Sequence, residues 1–155
     1  MKSELIIVYY IIIMKQILFV LALCSFSFAQ KQKTFNTDDQ SWYMQDLGNF
    51  TWDKAMTACP SGWRLPANED WKKLEGFLSA NPKLHDEFRK GAKTREKAML
   101  AQGVKASGGY WWSATEAEEI KNGAYFQFLY DGYNDFYEGY DPKESKRAVR
   151  CVKDL

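Results

Sequence analysis

The chain has 155 residues, 16% of them aromatic, with a formal net charge of +1 and three cysteines. That length suits one domain rather than two, and the aromatic content is enough for a real core. The near-neutral charge excludes a global pull toward nucleic acid or anionic membrane.

The first 29 residues differ from the rest. Leu5–Met14 is almost wholly apolar, Lys15 interrupts, and Ile17–Leu23 is apolar again. Read from Met14, the segment has a short positive start and an apolar stretch. Ser27-Phe28-Ala29 then places small residues at −3 and −1 before Gln30, the pattern of a cleaved secretory signal. Met14 fits as the true start. An uncleaved span would have to bury Lys15, which is costly in a bilayer, so the mature chain is expected to lack a stable membrane span. Leu21-Ala22-Leu23-Cys24 approaches a lipobox, but Leu23 is large where a small residue is needed, so a lipoprotein is not expected. Cleavage leaves a charge-balanced chain with Cys59 and Cys151. Two cysteines in an exported chain suggest one disulfide closing a loop of about 90 residues; two buried free thiols are the alternative. The expected location is extracytoplasmic: periplasmic, at the cell surface or secreted.

Residues 30–40 are polar and read as a flexible lead-in to a domain over 41–155. Ser41-Trp42-Tyr43-Met44 reads as a strand. Thr51 is placed to cap a helix with Asp53 in its first turn, and Trp52, Ala55, Met56 and Cys59 share its buried face. Pro60-Ser61-Gly62 stops it. Asn68 is placed to cap a second helix, whose apolar face is Trp71, Leu74, Phe77 and Leu78, and Asn81-Pro82 ends it. Leu84 and Phe88 suggest a short helical turn, and 93–102 another, within a mostly basic stretch read as a solvated face. Tyr110–Ser113 reads as a strand, 114–122 as an acidic loop and Asn122-Gly123 as a turn. In a strand over 124–130, Ala124, Phe126, Phe128 and Tyr130 share one face, and Tyr125, Gln127 and Leu129 the other. Residues 131–140 read as a turn-rich segment. A closing strand over 148–152 puts Val149 and Cys151 on one face. The order is α+β rather than a repeated βαβ pattern.

The runs Cys59-Pro60-Ser61-Gly62-Trp63-Arg64-Leu65-Pro66, Gly109-Tyr110-Trp111-Trp112-Ser113-Ala114-Thr115 and Val149-Arg150-Cys151-Val152-Lys153-Asp154, with Trp71 between, resemble the Fibrobacter succinogenes major paralogous domain. Ser41–Leu47 resembles that family's opening, with Asp46 where the family has Asn. The resemblance covers Ser41 to Asp154. It implies a C-type-lectin-like fold: two helices with a twisted antiparallel sheet, a loop-rich middle region, and Cys59 on the first helix tied to Cys151 on the last strand. Trp63, Arg64, Leu65, Pro66, Trp71, Trp111, Trp112 and Arg150 are then structural motif residues. The sequence departs over 83–105, which is charged and helix-prone where the family is Gly-rich.

Catalysis finds little support. The single histidine, His85, lies in a charged segment expected to be exposed, with no nucleophile paired to it. The reactive cysteines of the lectin-like formylglycine-generating enzymes have no counterpart. No cofactor and no metal are expected; Asp131, Asp135 and Glu138 are weak calcium candidates, without the Glu-Pro-Asn and Trp-Asn-Asp motifs of calcium-dependent lectins. Tyr133, Asn134, Asp135, Phe136, Tyr137 and Tyr140 are the candidate ligand surface, because flat rings pack on sugars while Asp and Asn bond hydroxyls. The alternative is that these rings fill the core. The expected function is an exported, non-enzymatic binding module for a glycan or protein ligand. A structural or adhesive surface component is the runner-up, and a hydrolase ranks third.

Overall fold

The computed structural model describes residues 32–90, 109–129 and 135–155. The expected signal over 1–29, the helix expected over 93–102 and the candidates Asp131, Tyr133 and Asn134 lie outside them. Among the described residues no helix is long and apolar enough to cross a membrane.

The chain opens on β1 (Thr34–Asn36), inside the stretch expected to be a flexible lead-in. Thr37 makes the tight turn into β2 (Gln40–Tyr43): its N–H donates to the Gln40 carbonyl at 2.8 Å and its Oγ1 accepts the Gln40 N–H at 3.1 Å. β2 lies between β1 and β8 (Val152–Asp154), with Trp42 opposite Val152, so the two ends of the domain are zipped together. A second sheet runs β3 (Asn49–Phe50), β7 (Arg147–Ala148), β4 (Tyr110–Ala117), β5 (Gly123–Leu129), β6 (Phe136–Pro142). It is antiparallel except for the short β4–β7 contact.

Among the described residues, three helices join these sheets. The first, α1 (Trp52–Ala55), is a single turn. Thr51 occupies its N-cap with no side-chain bond, and Met56, expected on the buried face, is 43% exposed. Cys59 therefore follows the helix rather than lying on it. Farther along, Pro60-Ser61-Gly62 forms a tight turn: Gly62 has φ +80°, open to glycine alone at little cost, and the Trp63 N–H closes onto the Pro60 carbonyl at 2.9 Å. The second helix, α2 (Asn68–Ser79), buries Trp71, Leu74 and Leu78 as its spacing predicts. Its cap is Ala67 rather than Asn68, and Asp70 supplies the missing acceptor by taking the Ala67 N–H at 2.7 Å. The third, α3 (Pro82–Lys90), is a nine-residue helix where a turn was expected. It carries His85 at 2% exposure against the Phe136 ring, which overturns the expectation of an exposed histidine.

β4 separates two apolar clusters. Trp111 joins Trp42, Trp71, Leu74, Leu78, Phe88, Leu129 and Val152 on one side. Trp112 joins Tyr43, Trp52, Ala55, Leu65, Val149 and Cys151 on the other. Adjacent strand residues point opposite ways, and here both are fully buried, so neither tryptophan stands exposed. Each indole finds an acceptor: Asp46 Oδ1 at 2.7 Å for Trp111, the Phe50 carbonyl at 2.8 Å for Trp112. The expected closing strand is split, because residues 149–151 cross from one sheet to the other. Alternation persists through the crossing, so Val149 and Cys151 share one cluster while Arg150 turns into the other. Cys59 and Cys151 form a disulfide, Cα–Cα 5.8 Å, across a sequence separation of 92. The architecture is α+β, the class that the resemblance implied.

Candidate functional site

Two ionic networks hold the frame. The first joins Arg64, in the motif after the disulfide turn, to α2 and the C-terminal strand. Arg64 bonds both oxygens of Asp70, at 2.5 and 3.0 Å, and Asp154 at 2.9 Å. Gln40 from β2 donates to Asp70 at 2.5 Å. Burial works against the Asp70 carboxylate, but the bonds from Arg64, the Ala67 N–H and Gln40 outweigh it and hold its pKa below 3.8; Arg64 is raised in turn by the same bond. A depressed folded-state pKa adds stability above the unfolded value and loses it as pH falls through the folded one. Asp70→Asn is therefore expected to cost about 2 kcal/mol at neutral pH. Its deficit relative to the parent should shrink as pH drops below about 4, measured by urea unfolding across pH. The second network is Arg150 and Asp46, both fully buried, with Arg150 Nη2 2.7 Å from the carboxylate. Both arginines thus act in the scaffold, as do Trp71, Leu65 and Pro66, which are buried, and Trp63, which packs on Tyr43 at 4.4 Å.

Within the described residues, the candidates Asp135, Phe136, Tyr137 and Tyr140 do not form one surface. Residues 136–142 are the strand β6, not a turn-rich loop, so neighbouring side chains alternate between faces. Phe136 turns inward, with ring centroids 5.6 Å from Trp71 and 5.9 Å from Phe88, and it belongs to the core. Its strand pairing with the buried Leu129 is the reason. Tyr137 lies on the other face, stacked on Phe128 at 5.7 Å, in a row with Tyr110 and Phe126. Asp135 is exposed ahead of the strand.

Tyr140 is different. It is 48% exposed and sits opposite Tyr125 on β5, the rings edge to face at 6.3 Å. Two residues along, about 7 Å on a strand, Glu138 faces Gln127 on the same side of the sheet. Glu138 Oε2 accepts from Gln127 Nε2 at 3.1 Å and from Asn68 Nδ2, at the start of α2, at 2.7 Å. The Asn68 backbone N–H is held by Thr115 Oγ1 at 3.1 Å. Asn68 is 7% exposed, and its Oδ1 is buried without a partner. The Tyr125 hydroxyl donates to Glu119; that bond first, then burial, then the charges of Glu119, Glu138 and Glu118 push the phenol up to about 12. The result is an open shelf of two tyrosine rings backed by a row of oxygen acceptors.

Of the expected ligand residues within the described regions, only Tyr140 contributes to this shelf, joined by the calcium candidate Glu138. Asn68, Glu119, Tyr125 and Gln127 were missed. The strand alternation over 124–130 already put Tyr125 and Gln127 on one face; reading 136–140 as a turn concealed their partners. Among the described residues no group of three or more His, Cys, Asp or Glu side chains is placed to hold a metal.

The fold is similar to EMS16, an antagonist of the collagen receptor integrin α2β1, at 12% identity and TM-score 0.47, covering 79% of this chain and 97% of that one. No curated protein sequence gives a significant match. The model of the Fibrobacter succinogenes major domain matches residues 20–148, a span containing the Cys59–Pro66 and Gly109–Thr115 motifs, and the chain belongs to that family.

Proposed function

We propose that this protein is an exported, non-enzymatic binding module that meets a glycan or protein ligand at the Tyr125–Tyr140 end of β5 and β6. The observation that carries the reading is the half-exposed Tyr140 beside Tyr125, with the Gln127–Glu138 pair behind them. Exposed rings next to fixed polar groups are a common make-up of a recognition surface. Among the described residues, Trp42, Trp71, Trp111 and Trp112 are committed to packing, all buried within 1% of complete. Export is supported by the signal-like sequence ending at Ala29 and by the Cys59–Cys151 bond, which persists in oxidising compartments.

Two results follow from the reading. Tyr140→Ala should weaken binding about tenfold in a screen against glycans and surface proteins, run with and without calcium. Its thermal midpoint should stay within about 3 °C of the parent, because about half of the side chain is already solvated. Loss of folding together with binding would return Tyr140 to the core. N-terminal analysis of the exported protein should find Gln30 as its first residue; an intact Met14 would rule out cleavage.

A further inference from the structure

The shelf on β5 and β6 has a chemical bias that a bare aromatic patch lacks. The two charged groups bonded at it, Glu138 and Glu119, are both carboxylates. Glu138 is exposed and already takes two donors on one oxygen, Oε2. Glu119 accepts the Tyr125 hydroxyl at the outer rim. Asn68 turns its amide into the same cluster, spending its N–H on Glu138 and leaving its carbonyl oxygen buried and unpaired. A buried acceptor without a donor is costly, on the order of 1–3 kcal/mol, and calls for a reason. Asn68 Nδ2 and Gln127 Nε2 each spend one N–H on Glu138, which holds the carboxylate in place while it stays exposed.

The rings point to the same ligand. Tyr125 and Tyr140 meet edge to face at 6.3 Å, so the pair offers both a ring face and a ring edge. Donation of the Tyr125 proton toward a carboxylate makes that phenol more electron-rich, which strengthens its attraction for a cation. Glu119 bonds the Tyr125 hydroxyl, and Glu138 lies two residues from Tyr140 on the same strand face, so negative charge flanks the pair. Neutral sugar hydroxyls can bond the acceptors, carboxylates included, but bring no positive charge for the carboxylates to attract. A guanidinium gains from acceptors, charge and rings together, since it carries five N–H donors on a planar cation that stacks on aromatic faces.

We infer that the Tyr125–Tyr140 shelf, with Glu138 and Asn68 behind it, receives an arginine side chain displayed by a partner protein. This rests on the proposal that the β5–β6 face is the binding face, and it names the ligand class there. The shelf is an open sheet surface rather than an enclosed cavity, which suits a side chain presented on a larger body better than a free small cation.

The test titrates the full-length chain, purified from an export-competent host, with acetyl-Gly-Arg-Gly-amide while following tyrosine ring signals by NMR. The citrulline counterpart of the peptide, equal in shape but neutral, is the control, and neutral trisaccharides of glucose, mannose and galactose are run alongside. The arginine peptide should move the Tyr125 and Tyr140 signals and bind at least about tenfold more tightly than the citrulline peptide, with the difference shrinking as salt is raised. Glu138→Gln keeps the acceptor for Asn68 and Gln127 but loses the charge, and should weaken arginine binding about tenfold. Glu119→Gln should weaken it less and serves if the first variant fails to fold. Equal binding of arginine and citrulline peptides overturns the inference. Trisaccharides that move Tyr140 while the arginine peptide does not overturn it too, yet leave the binding face in place. If no probe moves either ring, the inference falls, and the binding face stands or falls on the Tyr140→Ala screen.

Discussion

Replacing Cys59 and Cys151 together by alanine should lower stability by about 4–5 kcal/mol, because the bond closes a loop spanning 92 positions and the entropy removed from the unfolded chain grows with the logarithm of loop length. The expected drop in thermal midpoint is on the order of 15 °C. The location of the bond makes the loss global. Cys151 is fully buried beside Val149 and Trp112, immediately before β8, and the Tyr43 N–H bonds its carbonyl at 2.9 Å. Cys59 follows α1 at the rim of the same cluster. The cross-link therefore anchors the crossing segment between the two sheets to the helix layer, and without it both sheets lose a shared fixed point. Calorimetry of parent and double variant, with the parent also run under reductant, checks this. A shift of only a degree or two would mean that the β2–β8 pairing alone closes the domain.

Asp46→Ala should cost a similar amount, about 3–5 kcal/mol, by a different mechanism: it strands a buried cation. Arg150 is 0% exposed, and its environment is specific. Its Nε and Nη2 reach Asp46 at 2.9 and 2.7 Å, its Nη1 donates to the Phe88 carbonyl at 3.0 Å, and its guanidinium lies 3.9 Å from the Phe88 ring centre and 4.8 Å from that of Trp111. Burial pushes the Arg150 pKa down, and only the charge and hydrogen bonds of Asp46 oppose that. Removing Asp46 also strips the Trp111 N–H of its acceptor. The paired variant Asp46→Leu with Arg150→Met should recover much of the loss, because apolar residues of similar size avoid the desolvation penalty altogether. A double-mutant cycle in denaturant measures the coupling; additive single losses would mean the pair is not the source. Asp46 thus supplies a full countercharge to the motif arginine.

The core could be read from residue spacing to a useful extent. Trp71, Leu74 and Leu78 recur at helical intervals and are buried together. Trp111 and Trp112 are consecutive on a strand, and they do face opposite ways. Where spacing misled, a competing contact decided. Trp52, Ala55, Met56 and Cys59 repeat at helical intervals, but the helix is a single turn, and Cys59 beyond it is held by the disulfide. His85 lies among charges, but Phe136 and the α3 packing bury it. Tyr, Asp and Gly over 131–140 signal turns, yet pairing with β5 makes 136–142 a strand.

The shelf was the least legible part. Tyr125, Gln127 and Glu138 belong to one face only once β5 and β6 pair in the observed register, and Asn68 arrives from a helix some 60–70 positions away. Local spacing cannot encode that meeting, since a one-residue slip of β6 would send Glu138 and Tyr140 to the opposite face.

By itself, the sequence determined the elements whose stability is local or patterned: the amphipathic face of α2, the alternation along β5, the turn at Pro60–Gly62, and the two cysteines that remain after a signal-like start. Only the tertiary structure decided which cluster each tryptophan fills, where the closing strand breaks, and which side chains stand together on the open face of β5 and β6. The physical reason is range. Helix turns and strand alternation are set by neighbours within a few residues, while burial, buried ion pairs and binding surfaces depend on groups that the chain brings together only after most of its backbone has been ordered.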